Sequence, residues 1–217
     1  MDDVDLLKIL EYWQRKYKLP VNTFDFTYEE LRRFWDLGGC KDIAIKHQMI
    51  TKYSEKFNIK TMIETGTYVG DMVHAMKDKF SRIISIELGE RLYKQAKKRF
   101  SAYPHISIIH GDSGKMLEKI LESISEPCLF WLDGHFSFND TARGEQDTPI
   151  LLELEHILSH PVRNHVILID DARCFIGPNP VLNDYPTIQE LQVFVKRKRP
   201  DLHFEVNEDM ICICEKK

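Results

Sequence analysis

Acidic residues follow two apolar runs of the 217-residue chain, at the points where the runs end. The run LFWL ends at Asp133, with His135 two residues further on, and the run HVILI ends at Asp170 and Asp171. Carboxylates at the end of an apolar strand are costly unless a positive charge neutralises them. Three acids converging at one rim would suit Mg²⁺, with water and substrate oxygens completing its shell. The structural alternative is that Asp171 caps a loop and Arg173 pairs with Asp170.

A second group of candidates follows an earlier apolar run, in the segment ETGTYVG at 64–70. Gly66 and Gly70 allow a tight turn and a close approach of a ligand to the backbone, and the helix expected next offers free N–H groups to an anionic group. The glycine spacing is not the Gly-x-Gly-x-x-Gly of dinucleotide enzymes. A purely structural strand–helix turn is the alternative.

Two further acids follow the next two apolar runs. Glu87 could accept hydrogen bonds from both hydroxyls of a ribose, or it could be a solvated charge at the start of a helix. Asp112, which precedes Ser113, could bind an adenine amino group or cap the following helix, and it could do both.

The elements that must position these residues are short β-rich runs that alternate with amphipathic helical stretches from residue 59 onward. The runs are KTMIET (60–65), RIISIEL (82–88), ISIIHGD (106–112), CLFWLD (128–133) and HVILID (165–170). Near-continuous apolar strands alternating with helices indicate a parallel sheet covered on both faces. Two last strands, 203–206 and 210–214, are close enough to form a hairpin. The sequence therefore predicts an α/β fold with a Rossmann-like, doubly wound, mostly parallel, seven-stranded sheet and an antiparallel edge strand. Such sheets bind ligands outside the carboxyl ends of their strands, where the candidate residues lie.

The composition narrows the class of protein. Residues 1–58 are predicted to form an N-terminal helical cap, with its third helix over 42–57, and residues 59–217 the Rossmann-like domain. The net charge of −4 gives no global electrostatic reason to expect nucleic acid as a partner. No apolar run approaches the roughly 20 residues of a membrane span, and the acidic start lacks the basic region of a signal peptide. Five scattered cysteines favour a reducing cytoplasm.

Taken in order, the segments ETGTYVG, SIELGE, HGDS, LDGH and LIDDA resemble the class I S-adenosylmethionine-dependent methyltransferases, over roughly 60–214. The acids after the fourth and fifth strands resemble those of the metal-dependent O-methyltransferases, of both the catechol and the macrocin/sugar type. The glycine segment departs from the commoner Glu/Asp-x-Gly-x-Gly-x-Gly pattern.

The resemblance implies a role for each matching residue. The residues implied to bind S-adenosylmethionine are Glu64, Thr65, Gly66, Thr67, Tyr68, Gly70, Glu87, Asp112 and Ser113. Mg²⁺ would be held by Asp133, Asp170 and Asp171, and the catalytic residues would be Asp133 and His135. His135 lies two residues after the fourth-strand Asp, and the resemblance to the sugar-type enzymes implies a general base at that position. A role as metal ligand and a structural role stay open.

The implied function is an S-adenosylmethionine-dependent, Mg²⁺-assisted O-methyltransferase acting on a small polar hydroxylated acceptor, either sugar-like or natural-product-like. The alternatives are an NAD(P)-type Rossmann oxidoreductase and a non-catalytic nucleotide- or S-adenosylmethionine-binding module. The expected partner is a small molecule, with no nucleic acid and no membrane. A homo-oligomer stays open.

Overall fold

A computed structural model describes residues 43–134, 148–177 and 184–216 of the chain. Within these ranges one helix precedes an alternation of strands and helices. The elements are α1 (Ile43–Phe57), β1 (Thr61–Thr65), α2 (Asp71–Met76), β2 (Arg82–Glu87), α3 (Glu90–Arg99), β3 (Ile106–His110), α4 (Ser113–Leu121), β4 (Cys128–Leu132), α5 (Ile150–Ser159), β5 (Val166–Ile169), a 3₁₀ turn (Ala172–Cys174), α6 (Ile188–Lys198), β6 (Leu202–Asn207) and β7 (Met210–Glu215). None of the helices in these ranges has the length and apolarity needed to cross a membrane.

The seven strands form one sheet in the order β3-β2-β1-β4-β5-β7-β6. Strands β1 to β5 are parallel, β7 runs antiparallel to β5, and β6 pairs antiparallel with β7 at the edge. The predicted fold class is confirmed, including the seven strands and the antiparallel edge. The strand order reverses between β1 and β4, so a crevice opens there at the carboxyl ends of the strands.

The sheet has an apolar core on each face, and β4 shows why its strands are apolar at every position. Phe130 and Leu132 point into one core, whereas Leu129 and Trp131 point into the other. Successive side chains of a strand alternate between faces, so a strand covered on both sides must be apolar throughout. Burial on both faces therefore explains the continuous apolar runs in the sequence.

Helix α1 belongs to the second of these cores and covers β4 and β5. Its buried residues recur at helical spacing: Lys46, Met49, Ile50, Tyr53 and Ser54. The Tyr53 hydroxyl donates a 2.8 Å hydrogen bond to Glu205 on β6, which anchors the carboxyl end of the helix. Because α1 leads directly into the start of β1, its amino end lies at the carboxyl ends of the strands. The helix matches the prediction for 42–57, whereas the two helices expected before it fall outside the described residues. The division at 58/59 stays a prediction.

Two histidines link the starts of β4 and β5, at the end of the sheet away from the crevice. Cys128 N–H donates to Nδ1 of His165, so the proton of that imidazole is on Nε2, 3.1 Å from Nδ1 of His160. His160 Nε2 in turn donates to the Leu121 carbonyl at 3.0 Å. This series of hydrogen bonds uses all four ring nitrogens of the two histidines, and neither ring needs a second N–H proton for it. Burial, together with the neighbouring His160 and Arg199, lowers the pKa of His165 to about 4.

Candidate functional site

The carboxyl ends of β1 and β4 meet at the point where the strand order reverses. Asp133 N–H donates to the Thr65 carbonyl at 3.0 Å, which continues the pairing of the two strands to their last residues. Gly66 follows with a φ of 86°, and a Cβ there would collide with the backbone carbonyl of Asp133. Only glycine combines this backbone conformation with this approach. The glycine segment and the LDGH segment are therefore two walls of one crevice.

The loop after β1 is tied to the end of β2. The N–H groups of Gly66 and Thr67 both donate to the Ile86 carbonyl, at 3.0 and 3.1 Å. Tyr68 has a φ of 49°, and its N–H donates to one carboxyl oxygen of Glu87 at 2.7 Å. The other oxygen of Glu87 accepts from Gly89 N–H, also at 2.7 Å.

Glu87 is only 5 % exposed, so it is not the solvated helix-start charge that was the alternative prediction. A carboxylate has about four acceptor positions, and two of them are used by these backbone donors. The remaining lone pairs suit a pair of ribose hydroxyls. Loop and carboxylate together form a cradle that fits the predicted cofactor.

Glu64 is buried inside the sheet, next to this loop. Ser85 donates its hydroxyl proton to Glu64, so Thr67 must be the donor in its 2.5 Å contact with Ser85. Burial raises the pKa of Glu64 to about 8; the Ser85 hydrogen bond opposes this, and the charges of Asp133 and Glu87 add to it. Glu64 is thus largely protonated at neutral pH until a cation approaches it.

Asp112 and Ser113 open α4 at the end of β3. Asp112 is the N-cap residue, and its Oδ1 accepts a 3.0 Å hydrogen bond from Gly114 N–H. The predicted capping role is confirmed. Its other carboxyl oxygen, Oδ2, takes no part in the cap and lies 3.9 Å from the Lys115 ammonium. Ser113 is buried beside it.

The three acids after β4 and β5 surround the end of one lysine side chain. Lys46 of α1 donates from Nζ to Oδ2 of Asp170, and its ammonium lies 3.7 Å from Oδ1 of Asp171. Asp133 is near enough for its charge to raise the pKa values of both Lys46 and Asp170. The acids are therefore brought together as the sequence predicted, and the cation between them is an ammonium.

Arg173 supplies a second cation. The structural alternative paired it with Asp170, but its observed partners are different. Its Nη1 donates to Asp171 at 2.9 Å and also to Asp209 in the β6–β7 turn. Asp209 is held from the same side, since it accepts from Arg173 N–H at 2.9 Å. Asp171 does occupy the N-cap position of the 3₁₀ turn, with a φ of 54°, but its side chain makes no capping hydrogen bond. The hairpin turn is thereby clamped to the rim.

Negative charge is in excess at this rim. With all groups ionised, the three carboxylates and that of Asp209 face the two cationic side chains Lys46 and Arg173. Burial and the two neighbouring acids raise the pKa of Asp170, although the ammonium opposes the shift. Burial alone would lower the pKa of Lys46, but Asp170, Asp171 and Asp133 together raise it above its usual range. Lys46 is consequently charged at any physiological pH.

The described arrangement of these acids does not fit Mg²⁺. Oδ2 of Asp170 accepts from the Lys46 ammonium, and Oδ1 accepts from Asp171 N–H at 2.8 Å. A divalent ion among the same carboxylates would be repelled by the positive charge of Lys46. Within the described ranges, no group of three or more His, Cys, Asp or Glu side chains is arranged to hold a metal ion. Mg²⁺ could enter only after Lys46 had moved away.

A small pocket opens beside Asp170, between β4, β5 and α5. Gly134, Phe175 and Tyr185 contribute to its lining, together with Glu153 of α5. Glu153 is 1 % exposed, and its Oε1 meets no hydrogen-bond partner among the described residues. Burial raises the pKa of Glu153 to about 7, with the Ser113 hydroxyl opposing the shift.

One predicted site residue lies outside the described residues, and two residues of the site were not predicted from the sequence. His135 is outside the described residues, so its predicted role as base, ligand or structural residue stays a prediction. Lys46 and Glu153 were not predicted. The available signal was similar for both: a charged residue in register with an apolar helical stripe, Lys46 with Met49 and Ile50, and Glu153 with Ile150 and Leu154.

Comparison with known proteins gives structural matches only. No family model matches the chain, and no curated protein matches it. Among solved structures it is similar to an O-methyltransferase from Bacillus cereus in complex with SAH, with 15 % identity, a TM-score of 0.56, and coverage of 100 % of this chain and 92 % of that one. The O-methyltransferase TomG from Streptomyces achromogenes, in complex with SAM, gives 14 % identity, a TM-score of 0.56 and the same coverages. The N-methyltransferase NodS from Bradyrhizobium japonicum WM9 gives 12 % identity and a TM-score of 0.50, covering 79 % of this chain and 93 % of that one.

These likenesses concern the fold. The chain has the Rossmann-like fold of the class I S-adenosylmethionine-dependent methyltransferases, as the resemblance predicted. The neighbours include both O- and N-methyltransferases, so the fold alone does not determine the acceptor atom.

Proposed function

We propose that the chain is an S-adenosylmethionine-dependent methyltransferase that methylates a hydroxyl oxygen of a small polar acceptor. The observation that carries the proposal is the buried Glu87 carboxylate, held by the N–H groups of Tyr68 and Gly89 beside the Gly66 turn. It lies at the strand-order reversal, where doubly wound sheets bind nucleotide-like ligands. A solvated surface acid would carry no such meaning.

Each part of this cradle suits one part of the cofactor. Glu87 would accept the two ribose hydroxyls, and Asp112 with Ser113 would meet the adenine. The turn at Gly66 and Thr67 lets the methionine part approach the backbone, and the buried carboxyl of Glu64 would pair with its amino group. Thr65, Tyr68 and Gly70 would complete this wall.

The bound cofactor would supply an electrophilic methyl group on a positive sulfonium. When an acceptor oxygen took this methyl group, the C–S bond pair would stay on sulfur, and the part of the chain would be to receive the hydroxyl proton at a base. We assign His135 as that base, since an ordinary imidazole pKa of about 6.5 suits proton abstraction near neutrality. Asp133, which precedes it at the rim, adds negative charge next to the sulfonium.

The competing functions make different demands on this rim. Hydride transfer to a nicotinamide has no use for clustered carboxylates, whereas a rim with surplus negative charge complements a sulfonium. The oxygen specificity and the polar acceptor come from the resemblance. Four free, buried cysteines in the described residues fit a reducing, cytoplasmic compartment.

The proposal is tested with S-adenosylmethionine carrying a tritiated methyl group and a panel of sugars, glycosides and phenols. The result expected is transfer of label to a hydroxylated compound, with loss of about 10²–10⁴-fold in turnover for His135→Ala. A His135→Ala variant at full rate would remove the base assignment but not the function. Binding of NAD(P) in place of S-adenosylmethionine would favour the oxidoreductase. Cofactor binding without any transfer would leave the binding module.

The ammonium of Lys46 occupies the described rim, where the predicted Mg²⁺ would bind. Measuring methyl transfer with and without EDTA tests whether Mg²⁺ assists the reaction.

A further inference from the structure

Lys46 has an unusual position for a lysine. It is 9 % exposed and lies on the apolar stripe of α1, one turn before Met49 and Ile50. Lysine is almost never this buried unless it is paired. The stripe packs against β4 and β5, so the first buried position at its amino end reaches the carboxyl ends of those strands.

Among the described residues, the charged partners of Lys46 at that end are acids. Its ammonium donates to Asp170 and forms an ion pair with Asp171 at 3.7 Å. Asp170 lies 124 positions away in the chain, so this contact joins the helix before the first strand to the end of the fifth. The lysine therefore supplies a cation to the acids that the sequence predicted to need one.

We propose that the Lys46 ammonium is the built-in cation of this acidic rim, in the place where a metal-dependent methyltransferase would hold a divalent ion. The chain then needs no divalent metal, and removing Lys46 opens a metal site. The part of this inference that concerns catalysis rests on the proposed function. The part that concerns metal binding does not.

An ammonium in place of a metal ion changes how an acceptor can be held at this rim. A metal ion can bind two adjacent oxygens of one substrate in its coordination sphere, whereas an ammonium offers a single charge and three hydrogen-bond donors. An acceptor at this rim would be held through one oxygen, which receives a hydrogen bond and is stabilised as its proton leaves. Vicinal hydroxyl groups are then unnecessary for binding.

The test is Mn²⁺ binding, followed by the electron paramagnetic resonance signal of the free ion, with no cofactor or acceptor present. We expect the wild type to bind Mn²⁺ at least tenfold more weakly than Lys46→Ala. Lys46→Arg keeps the positive charge and should bind as weakly as the wild type. The exposed Lys52 lies on the same helix, and Lys52→Ala is the matched control, which should also leave weak binding unchanged. Adding Asp170→Asn to Lys46→Ala should remove the new site.

The wild-type titration decides the matter even if Lys46→Ala fails to fold. One Mn²⁺ bound per wild-type chain at micromolar concentration, and lost in Asp170→Asn, would overturn the proposal. Equal affinities of wild type and a folded Lys46→Ala would also overturn it. Because these readings use no S-adenosylmethionine, they separate failure of this inference from failure of the proposed function, which a parallel titration with S-adenosylhomocysteine reports. If both hold, wild-type methyl transfer should be insensitive to EDTA.

Discussion

Glu64→Gln should change the pH dependence of stability more than any other single substitution at the rim. The carboxyl is fully buried, accepts from Ser85, and has a pKa raised by burial to about 8. Glutamine has nearly the same shape and can accept the same hydrogen bond, but it cannot ionise. The variant therefore removes the titration of this group and little else.

The magnitude follows from linkage between folding and proton binding. Between the ordinary glutamate pKa of 4.5 and about 8, the folded chain holds a proton that the unfolded chain has lost, so stability falls as pH rises through this interval. At about 1.4 kcal/mol per pKa unit, full ionisation costs the folded state on the order of 5 kcal/mol. Between pH 5 and pH 9 the loss is on the order of 4 kcal/mol.

Urea unfolding of the ligand-free protein at pH 5, 7 and 9 measures this directly. Glu64→Gln should be close to the wild type at pH 5 and more stable than it at pH 9. Comparing the two chains at each pH cancels the titration of all other groups. Parallel stability curves for the two proteins across this range would refute the reasoning, because they would mean that Glu64 ionises normally in the folded chain.

The same proton connects stability to cofactor binding. If the amino group of the cofactor pairs with Glu64, its binding at pH 7 should expel about 0.9 proton from a group whose pKa is about 8. Calorimetry of S-adenosylhomocysteine binding in two buffers of different ionisation enthalpy measures that release. Glu64→Gln should bind more weakly, and the release should be absent from it. A wild-type release equal to that of the variant would show that Glu64 does not meet the amino group.

Two further substitutions test the fold, one at the crevice and one at the opposite end of the sheet. Gly66→Ala forces a side chain into a left-handed conformation against the Asp133 carbonyl and should cost about 3 kcal/mol in urea unfolding; Gly134→Ala, which meets the side chain of Thr65 and has no positive φ, should cost clearly less, and equal costs would contradict the account. His165→Asn should flatten the acid side of the stability curve, because a pKa lowered from 6.5 to about 4 means that stability is lost as pH falls through that interval, by about 3 kcal/mol in the wild type. An unchanged acid limb in the variant would show that His165 is not the group responsible.

The elements of this fold could be predicted because each one repeats a local rule. Strands buried on both faces are apolar at every position, and the helices between them keep one apolar stripe. The approach of Asp133 to Asp170 was also predictable, since neighbouring parallel strands end at the same edge. That inference needed only the strand order of a doubly wound sheet.

Lys46 could not be placed by the same reasoning. Periodicity puts it on the buried face of α1, but does not say where along the sheet the helix docks, and the contact with Asp170 spans 124 positions. The partner of Arg173 was mistaken for a similar reason. The alternative paired it with Asp170, which is near it in sequence, whereas the structure pairs it with Asp171 and with Asp209 from a hairpin turn 36 positions later. Side-chain partners across elements depend on docking that local patterns do not encode.

The central claim, that the Glu87 cradle binds S-adenosylmethionine, is most directly tested by calorimetric titration of the protein with S-adenosylhomocysteine. We predict a one-to-one complex with a Kd of about 1–100 μM for the wild type. Glu87→Ala removes both backbone anchors and the ribose acceptor, and should weaken binding by at least about tenfold, or about 1.4 kcal/mol. A wild-type chain that gives no heat with S-adenosylhomocysteine or S-adenosylmethionine, or a Glu87→Ala variant that binds as tightly as the wild type, would contradict the account.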